Sequence, residues 1–80
     1  SHGPVGPYPS PEDGVVGEMQ RLLDSGAFTG HAPLRLEQGV EVQDVEQAVR
    51  TSLRAAQGNG YAGAVARDRL AAILDVVAGA

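Results

Sequence analysis

Asp24, Ser25 and His31 supply the residue types of a hydrolytic triad and lie close together in the chain. In such a triad a carboxylate orients an imidazole, and the imidazole takes the proton of a hydroxyl nucleophile. All three groups must therefore meet at hydrogen-bond distance. No Gly-x-Ser-x-Gly turn surrounds Ser25 to hold it in an exposed, strained elbow. The pattern fits a helix ending at Asp24 and Ser25 better, with His31 in the loop that follows. The second histidine, His2, lies in a segment rich in Pro and Gly. General acid–base chemistry needs a positioned His, Lys or tuned carboxylate, and neither histidine has one beside it. The expectation is a non-catalytic chain with no catalytic residues.

Metal and cofactor chemistry finds equally little. The chain has no Cys, no pair of His at ligand spacing and no acidic loop of EF-hand type. Gly58-Asn59-Gly60 leads into a helix but lacks the Gly-Lys-Ser/Thr ending and the preceding strand of a phosphate loop. It reads as a tight turn between helices. No metal and no cofactor is expected.

Charge narrows the partners. The 80 residues carry ten Asp and Glu against six Arg and no Lys, a net charge of −4. An acidic surface repels phosphate backbones and anionic membranes. No apolar run is long enough to span a bilayer, because Asp75 interrupts the longest one. The lack of Cys fits a cytoplasmic setting. Arg without Lys, together with twelve Ala and eleven Gly, suggests a GC-rich bacterial source.

These side chains must be positioned by a small number of elements. Residues 1–9 contain three Pro and two Gly, which forbids helix. They read as a linker or tag remnant, leaving 10–80 as one domain. A first helix begins at Ser10-Pro11-Glu12-Asp13, where Ser caps, Pro suits the first turn and the acids favour the positive end of the dipole. Val15, Val16, Met19, Leu22 and Leu23 follow at helical spacing, and Gly26 ends the helix. Phe28 is expected to fold back onto that end. Residues 34–42 alternate apolar and polar. A hairpin with the loop Glu37-Gln38-Gly39 would set Leu34 opposite Val42 and Arg35 opposite Glu41, and would place Gly39 where a left-handed residue is needed. An extended loop that merely plugs the core fits the same residues. A second helix runs from Gln43 or Asp44 to Gln57, with Asp44 as cap, Gln47 three residues on, and an apolar face of Val45, Ala48, Val49, Ser52, Leu53 and Ala56. A third runs from about Tyr61 to Val77, with Ala62, Val65, Ala66, Leu70, Ile73, Leu74 and Val77 expected to line its core side.

The fold class is therefore mainly α: a three-helix bundle with a short β-hairpin between the first and second helices as one of two readings. Helices two and three should be antiparallel neighbours.

Two function classes remain. A helix, a Gly-containing turn and a helix resemble a helix-turn-helix or winged-helix DNA binder in outline, with Arg67 and Arg69 on the reading helix. The first turn of that helix reads Tyr61-Ala62-Gly63-Ala64-Val65, without a base-edge donor of the usual kind. The favoured class is a protein–protein interaction or oligomerisation module, such as a docking or accessory domain of a larger bacterial protein. Large apolar residues are few, no disulfide is available, and a partner is the remaining source of stability for so short a chain. The third helix is apolar around most of its girth, and such a helix is buried on more than one side. The expected partner-binding residues are Ala64, Ala72 and Val76 on that helix, with Arg50 and Arg54 on the second, since Arg is favoured at interfaces. The partner would be a helix of another protein or of a second copy, giving a homodimer.

Overall fold

The chain was analysed as a computed structural model in which residues 11–79 are described. Its elements run α1 (Pro11–Asp24), β1 (Leu34–Arg35), β2 (Glu41–Val42), α2 (Val45–Ala56) and α3 (Tyr61–Gly79). The mainly helical bundle with a hairpin between the first two helices is what forms. The expected cap at Ser10 and the segment 1–9 lie outside the described residues.

α1 closes as its sequence predicts. Gly26 takes φ +82°, and its N–H donates to the Leu23 carbonyl while that of Ala27 donates to the Leu22 carbonyl. This pair of bonds satisfies two carbonyls that the last turn would otherwise leave without partners. The turn carries Phe28 back into the core, where it is almost wholly buried.

Of the two readings of residues 34–42, the hairpin is the one adopted. Leu34 pairs with Val42 and Arg35 with Glu41 in antiparallel register. The Leu36 N–H donates to the Val40 carbonyl and the Gly39 N–H to the Leu36 carbonyl. Gly39 sits at φ +86°, a conformation that costs other residues strain. The side chains of the facing pair go elsewhere: Arg35 Nη1 reaches the Gly39 carbonyl at 3.4 Å, and Glu41 accepts from Gln43 Nε2. Leu36 and Val42 turn inward and are buried.

Asp44 caps α2. Its Oδ1 accepts from the Gln47 N–H at 3.0 Å, and its backbone is extended. Val45, Val49, Ser52, Leu53 and Ala56 form the buried face, at the i, i+4, i+7, i+8, i+11 spacing of one helix side. Four residues then turn the chain into α3. The turn folds so closely over the start of α3 that a Cβ on Gly63 would overlap the Gly58 carbonyl oxygen. Arg67 Nη2 donates to that same carbonyl at 3.1 Å.

The core gathers Met19 of α1, Phe28, Leu36 and Val42 of the loop and hairpin, the α2 face, and Ala66, Leu70 and Ile73 of α3. One expectation fails. Ala62 and Val65 were predicted on the core side of α3, yet both are exposed. The buried arc is Gly63, Ala66, Leu70 and Ile73, and Val65 points about 120° away from its centre at 100° per residue.

Candidate protein-docking surface

The residues of the hydrolytic trio do not meet. Ser25 Oγ donates to the Leu22 carbonyl at 2.9 Å, Asp24 Oδ1 accepts from Gln20 Nε2 at 3.0 Å, and His31 Nδ1 lies 2.6 Å from the Ala32 carbonyl oxygen. The His31 ring is tilted against Phe28, with ring centroids 6.1 Å apart. Each group thus serves its own turn. Among the described residues no group of three or more His, Asp or Glu is placed to hold a metal ion, and no helix is long and apolar enough to cross a membrane.

The five expected partner-binding residues fall in three separate places. Arg50 and Arg54 line an open groove between α1 and α2 with Gln20, Leu23, Leu53 and Gln57. Arg50 is committed within its helix, donating to Glu46 at 2.8 Å. Ala72 and Val76 are half-buried on α3, where the hairpin tip covers part of them: Ala72 shares a shallow pocket with Glu37 and Gln38, and Val76 another with Glu37. Ala64 is exposed, but lies about 80° around the helix from Ala72 and about 120° from Val76.

Val65 is the residue that the sequence reading assigned to the wrong side. It lies within about 20° of both Ala72 and Val76 around α3. Val65 is 46% exposed and Tyr61 86% exposed. They border a groove of about 340 Å³ between α2 and α3, lined by Thr51, Ser52, Ala55, Tyr61, Ala62, Val65, Ala66 and Arg69. Ala55, Ala62 and Ala66 make its surface low and Ser52 is buried beneath it. No carboxylate lines it, and Arg69 supplies its single charge. An open apolar trough with one guanidinium at its edge can receive an apolar side chain and offers hydrogen-bond donors to an acceptor beside it.

Tyr61 and Val65 are exposed beside the groove, while Ala72 and Val76 lie further along the same side of α3, beyond Arg69 and half-buried under the hairpin tip. One signal could have found that side. Residues 61, 65, 72 and 76 repeat at intervals of four, seven and four, which keeps them on one line of a straight helix.

Set against known protein families, curated proteins and solved structures, the chain matches none of them.

Proposed function

We propose that this chain is a non-catalytic protein–protein interaction module whose docking surface is the α2/α3 face, and that it serves as an association or accessory domain of a larger bacterial, cytoplasmic protein. The observation that carries the reading is the exposure of Tyr61 and Val65 beside a groove without carboxylates. Water penalises a valine left outside, and a partner that covers the face recovers that free energy. Aromatic side chains on a low, apolar surface are also the usual anchors of protein interfaces. Arg69 at the groove edge would add direction to the docking and little affinity, because rim charges are screened. Arg50 and Arg54 stand on the other side of α2 and have no part in this surface.

The test is position-specific photo-crosslinking in cells that make the protein. Benzoylphenylalanine replaces Val65 in one variant and Gln20, exposed on α1 away from this face, in another. A defined adduct from position 65, with none from position 20, is the expected result. Equal labelling from both positions, or none from 65, would refute the reading.

A further inference from the structure

We propose that the occupant of this face is a second copy of the same chain, with α3 of each copy lying along α2 of the other. The proposal rests on the α2/α3 face being a docking surface, and it names the partner.

The relief of the face supports the pairing. Its α3 edge carries the large side chains Tyr61 and Val65, while its α2 edge carries Thr51 and Ala55, which are small. Well-packed layers set large residues against small ones. A two-fold axis parallel to α3 keeps height along the helices unchanged and exchanges the two edges. Val65 borders the same groove as Thr51 and Ala55 in its own chain, so this axis delivers it onto Thr51 and Ala55 of the second copy. A two-fold axis perpendicular to α3 would instead press large edge on large edge and leave the small edges facing a gap.

Helix direction agrees. α2 and α3 are joined by a four-residue turn and pack side by side, so they run antiparallel. The proposed axis then makes each helix antiparallel to its neighbour across the interface as well, the arrangement of an up-down four-helix bundle. Charge agrees too. On a chain of net charge −4, a groove lined without carboxylates is a place where two copies meet with little like-charge repulsion.

The available area sets the strength. The 12 residues of α2 limit the two-helix face to about 18 Å at 1.5 Å each, and two helices side by side are about 20 Å wide. That is roughly 360 Å² per copy and about 720 Å² in all, the size of a weak, reversible association.

Sedimentation velocity of the full 80-residue chain from about 5 to about 500 µM tests this. The expected result is a monomer–dimer equilibrium, weakened at least about tenfold by Val65→Asp and, independently, by Ala55→Glu, since each sets a hydrated carboxylate into an apolar contact. Both positions are exposed in the single chain, so helical circular dichroism and melting of both variants at the lowest concentration should match the wild type. A wild type that stays monomeric throughout, or two folded variants that dimerise as well as the wild type, would overturn the proposal. A monomeric wild type whose position-65 crosslink yields a different protein would overturn the second copy alone and leave the docking face standing. A monomer without any position-65 adduct would remove both.

Discussion

Replacing Gly63 by Ala should destabilise the domain, although alanine is the better helix former. Gly63 lies inside α3, where intrinsic propensity favours Ala over Gly by about 1 kcal/mol. The added Cβ, however, would overlap the Gly58 carbonyl oxygen and stand 3.0 Å from the carbonyl carbon. Both obstructing atoms are backbone, so relief requires the start of α3 to move away from the linking turn. Overpacking of this kind costs about 1–3 kcal/mol, and more when no side chain can yield. The shift also strains the bond from Arg67 Nη2 to the same carbonyl, which adds at most about 1 kcal/mol at a partly solvated site. With the propensity gain subtracted, the net loss is about 2 kcal/mol, or roughly 8–16 °C in Tm for a domain of this size. Gly17 provides the control. It too lies within a helix, is exposed, and has open space where a Cβ would go. Gly17→Ala should therefore raise stability by up to about 1 kcal/mol, or about 4–8 °C. Thermal melts followed by circular dichroism at one fixed protein concentration would read both. A Gly63→Ala melt at or above the wild type would refute the close packing of the linking turn against the start of α3.

Asp44→Ala should cost about 1 kcal/mol by urea denaturation, because the Gln47 N–H loses its acceptor. Phe28→Ala should cost about 3–5 kcal/mol, since Phe28 ties the α1 turn into the core; a domain this small should then be largely unfolded at 37 °C by circular dichroism. In a fluorescence anisotropy titration against random duplex DNA below about 50 mM salt, where non-specific affinity is strongest, no binding is expected. The first turn of α3 exposes Tyr61, Ala62, Ala64 and Val65, none of which is a usual base-reading residue. Binding that weakens on removing Arg67 and Arg69 would revive the helix-turn-helix reading.

Much of the fold was legible in residues whose roles are local. Asp44 with Gln47, Gly26 after the apolar stripe of α1, and Gly39 between two alternating runs each answer a backbone requirement within a few positions, and each does so in the structure. The core side of α2 was equally plain, because Glu46, Gln47, Arg50 and Arg54 mark its back. α3 has no such marker. Arg67, Asp68 and Arg69 are consecutive, so they point in three directions about 100° apart, and Arg67 bends back to the Gly58 carbonyl beside the core. Periodicity revealed a helix apolar on several sides, but only packing against α2 and the hairpin tip decides which apolar side is outside. For that reason Val65 was placed inward, while Ala64 was grouped with Ala72 and Val76, from which the helix turn separates it. The two arginines of α2 were singled out as interface residues by type, although the i,i+4 spacing of Glu46 and Arg50 already pairs those two, and in the structure they are paired.

The most direct test of the account is a concentration series of backbone amide spectra, ¹H–¹⁵N NMR of the full chain from dilute to millimolar. The account predicts shifts and broadening that grow with concentration and cluster at Thr51, Ala55, Tyr61, Ala62, Val65 and Arg69. Changes centred instead on Gln20, Arg50 and Arg54, or spectra that stay the same across the series, would contradict it.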